Sequence, residues 1–224
     1  MMMGLINFGV PESKINFLIK KLGLNVFVEG GTYKGGTAKA MSTKFEKVYT
    51  IEKSLDMFDI AKENLISLSN VLMLKGDTRE HLQSILENND DILFWLDAHW
   101  SGGKTYGEED ECPLIEELEI IFSYNKSYII LIDDARLFLA PPPKPHNFLN
   151  WPSLTDIIKL MPDNWDLIEF EDVIYLFPKS INIDFREYLQ QGITEKWKKS
   201  NKEAAGSILN GLKISIRGLL NGNL

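Results

Sequence analysis

Residues 26–52 constrain the fold of this chain more than any other stretch. The stretch begins with the apolar run 26–28, passes through a turn with four glycines and a helix-forming segment, and ends in a second apolar run. A short buried strand that leads into a glycine-rich turn and a helix is typical of a parallel α/β unit. Glycines permit positive φ and a close approach to a ligand, which also meets the unpaired N–H groups at the start of the helix. The stretch therefore predicts a site for a nucleoside.

The spacing of the charged and glycine residues in this turn narrows the class of ligand. Glu52 ends the second strand about twenty residues after the turn, where nucleotide-binding α/β units place a carboxylate for the ribose hydroxyls. The dinucleotide fingerprint GxGxxG is missing from the turn, GGTYKGGT. The turn contains instead an acid, glycines and a threonine in this order: Glu29, Gly30, Gly31, Gly35 and Thr37. A packing turn in another α/β protein is the alternative that so short a motif leaves open.

This order resembles the ExGxxxGxS/T turn of class I S-adenosylmethionine (SAM) methyltransferases. The resemblance implies that the turn residues wrap the methionine part of SAM and that Glu52 binds its ribose. It also implies an adenine contact for Asp77, which follows the third predicted strand. A simple cap or turn role for Asp77 before the next helix is the alternative.

Composition limits the partners and the compartment. The chain has 224 residues, enough for one domain with a good core, and a net charge of −8. Nucleic-acid binding depends on clustered cations, so this balance argues against a nucleic-acid partner. The single cysteine, Cys112, suits a reducing compartment. No window approaches the length of a membrane span and no targeting signal is found, so we expect a cytoplasmic protein without stable membrane insertion.

The remaining pattern predicts the order of elements. Helices are expected over residues 13–22, 54–68, 78–86, 113–124 and 153–160, and strands over 71–77, 91–97, 128–132, 165–170 and 173–178. The last two strands are so close that they predict a tight hairpin. Class I methyltransferases end in such a hairpin, so the resemblance implies a Rossmann-like doubly wound α/β fold. Its seven-stranded sheet would have the order 3-2-1-4-5-7-6 with an antiparallel last strand.

The C-terminal residues differ in composition from the rest. We expect a methyltransferase domain over residues 1–190 and a basic helical extension over 191–224, where apolar residues recur at helical spacing. The extension is rich in cations: Lys196, Lys198, Lys199, Lys202, Lys213 and Arg217. Docking on its own domain, or on a second subunit of a homo-oligomer, is favoured over membrane-surface binding because the apolar face is modest.

Carboxylates follow two neighbouring strands of the expected sheet. Asp97 ends the fourth strand, and Asp133 and Asp134 follow the fifth. The carboxyl ends of parallel strands are where open α/β sheets bind ligands, and carboxylates crowded there would repel one another. Mg²⁺ relieves such repulsion because it prefers oxygen ligands. The acidic residues 109–111 are instead expected to serve the start of the next helix, with metal binding as the alternative.

The second half of the chain resembles the metal-dependent sugar O-methyltransferases of the macrocin and novobiocin type. By position, the resemblance implies Asp97, Asp133 and Asp134 as Mg²⁺ ligands. His99 occupies the position of the catalytic base, where that group usually has an aspartate. Histidine can do the same work, since its pKa of about 6.5 leaves it neutral and basic near physiological pH.

These observations predict a SAM-dependent O-methyltransferase that acts on a hydroxyl of a sugar or a small glycosylated molecule with assistance from Mg²⁺. A nicotinamide-dependent dehydrogenase would need GxGxxG. A metal-dependent hydrolase or hydroxylase would use the carboxylates but not the glycine turn and Glu52. A non-catalytic SAM-binding protein would keep cofactor affinity and ignore the metal. The proline-rich segment 135–153 is either a rigid connector or a wall of the acceptor site.

Overall fold

The computed structural model describes residues 9–97, 99 and 110–221, with side chains up to residue 202. Eight α-helices and seven strands are formed within these residues, and short 3₁₀ turns lie at Phe148–Asn150 and Lys179–Ile181. The strands are β1 (Val26–Gly30), β2 (Lys47–Glu52), β3 (Val71–Lys75), β4 (Ile92–Leu96), β5 (Tyr128–Ile132), β6 (Trp165–Phe170) and β7 (Val173–Pro178). The helices are α1 (Glu12–Leu22), α2 (Gly36–Met41), α3 (Leu55–Leu65), α4 (Thr78–Asn88), α5 (Leu114–Phe122), α6 (Arg136–Leu139), α7 (Leu154–Leu160) and α8 (Asn182–Asn221).

The seven strands form one sheet in the order β3-β2-β1-β4-β5-β7-β6. The pairs among β1 to β5 are parallel, whereas β7 pairs antiparallel with both β5 and β6. The predicted fold, strand order and antiparallel last strand are confirmed. Because β5 and β7 run in opposite directions, Ile132 at the end of β5 lies opposite Ile174 near the start of β7. The β6–β7 turn therefore lies at the edge of the sheet where the parallel strands end.

The central strands explain the apolar runs in the sequence. Every residue of β1, β4 and β5 is buried, because helices cover both faces of a parallel sheet. Apolar residues dominate these strands, and Glu29 in β1 is the one charged side chain buried among them. A carboxyl group placed there needs a structural or functional reason.

The chain divides into two compact units, Met1–Lys179 and Ser180–Leu224. The first contains the whole sheet, and the second consists mainly of α8. The predicted domain boundary between residues 190 and 191 falls inside α8. None of the helices in the described part of the chain is both long and apolar enough to cross a membrane.

Replacement of Gly35 by alanine is expected to destabilise the first unit by about 1–3 kcal/mol. Gly35 has φ +80°, and a Cβ there would lie 2.9 Å from the Leu65 side chain. Gly36→Ala is the matched control, because a Cβ at that neighbouring helical position meets no atom within 4 Å. Thermal unfolding of the two variants measures the difference. Equal midpoints would show that the left-handed turn is not needed for stability.

Candidate active site

The glycine turn joins β1 to α2 at the carboxyl edge of the sheet. Gly31 has φ +89°, and its N–H and that of Thr32 donate to the Ile51 carbonyl at 3.0 and 3.1 Å. These bonds fold the turn back over the end of β2. Gly35 then takes a left-handed conformation immediately before α2 begins at Gly36. The turn thus has the backbone geometry that the sequence pattern predicts.

Glu52 lies at the end of β2 and its carboxylate is tied to the turn. One oxygen, Oε2, accepts the N–H of Tyr33 at 2.8 Å, and the other, Oε1, accepts the N–H of Ser54 at 2.7 Å. Each carboxylate oxygen has a second lone pair, so both remain able to accept a hydroxyl. The arrangement fits a ribose at this position and brings Glu52 together with the glycine turn, as predicted.

Glu29 lies beneath the same turn, where it is 2% exposed. Its carboxyl group accepts a hydrogen bond from Thr50 at 2.5 Å, and Thr37 is a second hydrogen-bonding partner. Burial raises the pKa of Glu29 to about 8, and the hydrogen bonds from the two threonines only partly oppose this rise. Glu29 is therefore mostly protonated at neutral pH, which accounts for the burial of this carboxyl group.

Glu29→Gln is expected to raise the stability of the cofactor-free protein above about pH 5, by up to a few kcal/mol near pH 8. The folded pKa of about 8 exceeds the ordinary value of 4.5. Wild-type stability therefore falls as pH rises between these values, whereas glutamine does not titrate. Thermal melts from pH 4.5 to 8.5 measure the widening gap between the two proteins. A gap independent of pH would contradict the assignment, and Glu46→Gln on the exposed surface serves as the control.

Asp77 caps α4, which is the alternative role that the sequence left open. Its carboxylate accepts from the N–H of Arg79 at 3.0 Å and pairs with the side chains of Arg79 and Lys53. Asp110 extends this ionic cluster by pairing with Arg79. These contacts outweigh burial and hold the pKa of Asp77 well below its usual range. The predicted adenine contact of Asp77 stays a prediction.

His99 lies between carboxylates at the ends of β4 and β5. Its Nε2 is 3.1 Å from Asp134 Oδ2, and its Nδ1 is 3.6 Å from Asp97 Oδ1. The His99 side chain is only 7% exposed. Because a carboxylate only accepts hydrogen bonds, the shorter contact assigns an N–H to Nε2. His99, the predicted base, therefore lies beside Asp97 and Asp134, two of the three predicted metal ligands.

The charges of this group are strongly interdependent. Burial opposes the charged form of His99, but the hydrogen bond to Asp134 and the neighbouring carboxylates raise the His99 pKa above its usual 6.5. Burial and the charges of Asp97 and Asp134 raise the pKa of Asp133 to about 8. Burial likewise raises the pKa of Asp97 to about 6. The repulsion expected among these carboxylates is therefore present.

Asp134 has a further partner that the sequence did not indicate. Arg136 Nη1 donates to Asp134 Oδ1 at 2.8 Å and also to the carboxylate of Asp172. These contacts and the hydrogen bond from His99 outweigh burial and lower the pKa of Asp134. No local motif joins residues 136 and 172, so only the fold brings them together.

The structure gives no support to the predicted Mg²⁺ site. One oxygen of Asp134 contacts His99 and the other accepts from Arg136. Within the described residues, no group of three or more His, Cys, Asp or Glu side chains is placed to hold a metal ion. Asp97 and Asp133 repel each other, which a cation would relieve, and Asp97, Asp133 and Asp134 stay a prediction as Mg²⁺ ligands.

An aromatic wall adjoins His99. The ring of Trp151 lies 5.3 Å from that of His99, and the ring of Phe138 lies 5.7 Å from that of Trp151. Glu111 accepts from Trp151 Nε1 at 2.8 Å and from the N–H of Asn147 at 3.0 Å. The proline-rich segment thus forms a wall beside His99.

The acidic residues 109–111 were expected to cap the start of α5. This role is not observed at Asp110 or Glu111, because α5 has no side-chain cap. Residue 109 lies outside the described residues.

The comparisons with known proteins identify a family for this chain and solved structures with the same fold. A family model described as RNA cap guanine-N2 methyltransferase matches residues 22–141, more than half of the 224-residue chain. This range contains the glycine turn, Glu52 and His99. Among curated proteins, no sequence matches the chain.

Three solved structures share the architecture. The SAH-bound methyltransferase PaMTH1 of Podospora anserina is 17% identical, with a TM-score of 0.52 over 72% of this chain and 75% of that one. The O-methyltransferase TomG of Streptomyces achromogenes, involved in tomaymycin synthesis, is 12% identical, with a TM-score of 0.54 and coverages of 76% and 80%. A putative caffeoyl-CoA O-methyltransferase of Staphylococcus aureus is 13% identical, with a TM-score of 0.53 and coverages of 76% and 84%. At these identities, the likeness shows the fold alone.

Proposed function

Since this chain belongs to the RNA cap guanine-N2 methyltransferase family and is a SAM-dependent methyltransferase, we propose that it methylates a hydroxyl group with His99 as the base. The acceptor is a sugar or a small glycosylated molecule. The observation that carries the proposal is His99 itself, enclosed at the carboxyl edge of the sheet between Asp134 and Asp97. An alcohol is a weak nucleophile, so its methylation gains most from a base placed in this way.

The cofactor part of the proposal assigns SAM to the edge formed by the glycine turn and β2. Glu29, Gly30, Gly31, Gly35 and Thr37 would hold its methionine part. Glu52 would accept hydrogen bonds from the ribose hydroxyls while it keeps the turn closed through Tyr33. When bound, SAM supplies an electrophilic methyl group that a nucleophile displaces in line.

The acceptor part of the proposal assigns one proton transfer. The Nε2–H of His99 donates to Asp134, which fixes the tautomer and leaves the lone pair on Nδ1. Nδ1 would accept the proton that the acceptor hydroxyl loses when its oxygen takes the methyl group that SAM supplies. Asp97, 3.6 Å from Nδ1, stabilises the resulting imidazolium. Since the His99 pKa is raised, the rate should increase with pH until the ring is neutral.

The family match favours a second candidate, the exocyclic N2 amino group of guanine in an RNA cap. An amino nitrogen can attack before it loses a proton, so it depends less on a base than a hydroxyl does. The two candidates therefore differ in how much activity the chain should lose when His99 is replaced.

An acceptor screen separates these candidates. SAH formation from SAM is measured with a panel of sugars, nucleotide sugars and catechols, and in parallel with cap analogues and capped RNA. Turnover of a hydroxyl acceptor supports the proposal. Turnover of cap substrates alone replaces it with the guanine amino group and also contradicts the expectation of no nucleic-acid partner. SAH binding without any turnover would indicate a non-catalytic SAM-binding protein.

The predicted Mg²⁺ is tested separately, and no step of the mechanism depends on it. Turnover is compared in EDTA, after removal of EDTA, and after addition of Mg²⁺. If the reaction depends on His99 and not on a metal ion, the turnover rate should be the same in all three conditions. A loss in EDTA that Mg²⁺ restores would support Asp97, Asp133 and Asp134 as its ligands.

A further inference from the structure

The β6–β7 turn has an unfavourable backbone for its sequence. Its two central residues, Glu171 and Asp172, have φ of +54° and +66°. Tight hairpin turns with positive φ at both positions favour Asn-Gly or similar pairs, because other residues are strained there. Asp172 is also only 7% exposed. Aspartate tolerates positive φ, so it is the burial of its charge, and not the turn geometry, that calls for partners at Asp172.

The oxygen atoms of Asp172 contact the segment that follows β5, whereas its N–H donates to the Glu169 side chain at 3.1 Å. The carbonyl oxygen of Asp172 accepts the N–H of Ala135 at 2.9 Å, and its Oδ1 accepts the N–H of Arg136 at 3.0 Å. Its Oδ2 pairs with Arg136 Nη1. The antiparallel pairing of β5 with β7 brings the hairpin turn to this place. Asp172 therefore binds both the backbone and the side chain of the residues that adjoin Asp134.

Arg136 transmits this contact to Asp134. The same Nη1 atom donates to Asp172 and to Asp134, whereas the buried Nε and Nη2 atoms have no hydrogen-bond partner among the described residues. The orientation of the guanidinium group thus depends on the two carboxylates that share Nη1. Asp134 also has positive φ, +56°, so its own backbone needs support from its neighbours.

We propose that Asp172 is a positioning residue that acts through Arg136 to hold Asp134, and through Asp134 to hold His99, in the geometry of proton transfer. This inference rests on the proposed role of His99 as the base. Asp172 itself contacts neither substrate nor cofactor. The chain of contacts gives the closing hairpin a role in the reaction in addition to its role in the sheet.

Asp172→Asn tests the proposal with little change of shape, because asparagine tolerates positive φ and can still accept the N–H of Arg136. The expected result is a fall in kcat of about tenfold or more, with KM for SAM and for the acceptor within about twofold of wild type. Glu171→Gln is the matched control: it lies in the same turn with the same sign of φ, but its carboxylate pairs with Lys14. Its kcat should equal that of wild type.

A spectroscopic measurement tests the same chain of contacts without any acceptor. The imidazole nitrogen chemical shifts of the three histidines are recorded at a pH where His99 is neutral, and His99→Gln assigns its signals. Wild type and Glu171→Gln should show one tautomer with the proton on Nε2. Asp172→Asn should show a mixture of tautomers. Arg136→Lys, which keeps the charge but loses the planar fork, should do the same.

The two readouts separate failure of this inference from failure of the proposed function. If no hydroxyl acceptor is turned over but Asp172→Asn still mixes the tautomers, the chain of contacts stands and the proposed reaction does not. If Asp172→Asn leaves both kcat and the His99 tautomer unchanged, the inference is overturned. An equal loss of kcat in Glu171→Gln would also overturn it, because the effect would then belong to the turn as a whole.

Discussion

His99→Gln is expected to lower kcat for a hydroxyl acceptor by about 10²–10⁴-fold, the usual contribution of a general base. Glutamine keeps a polar side chain beside Asp134 but cannot accept a proton at neutral pH. The affinity for SAH should stay within about twofold of wild type, since His99 is assigned to the acceptor and not to the cofactor. Initial rates and isothermal titration with SAH measure the two quantities.

His81→Gln controls for the loss of a histidine elsewhere. His81 lies on α4, where its ring contacts the carbonyl oxygen of Lys75, and its replacement should leave kcat unchanged. A His99→Gln enzyme that retains more than a tenth of wild-type kcat would remove His99 from the base role. That result would favour an amino acceptor, which has less need of a base.

Glu52→Ala should weaken the binding of SAH by about 100-fold, equivalent to roughly 3 kcal/mol, because charge-assisted hydrogen bonds to the ribose are lost. Two backbone N–H groups, those of Tyr33 and Ser54, lose their acceptor at the same time. The glycine turn is then less well ordered before the cofactor arrives. Isothermal titration with SAH, with and without Mg²⁺, measures the effect.

Glu46→Gln provides the comparison, because Glu46 directly precedes β2 and its side chain is exposed. Its affinity for SAH should match that of wild type. Tight binding of SAH by Glu52→Ala would contradict the assignment of the ribose site. Absence of SAH binding by wild-type protein would contradict the whole cofactor assignment.

The strands were predictable from local signals, whereas their order in the sheet followed from the family resemblance. The runs 128–132, 165–170 and 173–178 coincide with β5, β6 and β7 to the residue, since each is bounded by polar or turn residues. The ends of the helices were predicted less accurately than the ends of these strands. Residues 54–68 were expected as one helix, but α3 ends at Leu65, where the following residues form a turn.

The residues of the candidate site were predictable only where they directly follow a strand. Asp97 follows β4, and Asp133 and Asp134 follow the neighbouring strand β5, so the strand order was enough to place them near one another. Arg136 and Asp172 are 36 residues apart, and their contact depends on the turn geometry of a hairpin that pairs antiparallel with β5. Glu111 and Trp151 meet for a similar reason, through a segment of irregular structure. The charges around Asp134 determine how it can act, and only the structure shows which groups carry them.

The wall beside His99 also gives the protein an optical probe. Trp151 is the one tryptophan among the described residues whose ring is in contact with His99 and His146. Indole emission responds to the charge and polarity of adjoining groups, so a molecule that enters beside His99 should change the fluorescence of Trp151 directly. Trp151→Phe would remove that change and leave the signals of the other four tryptophans. Acceptors can thus be sought by their effect on emission, before any methyl group is transferred.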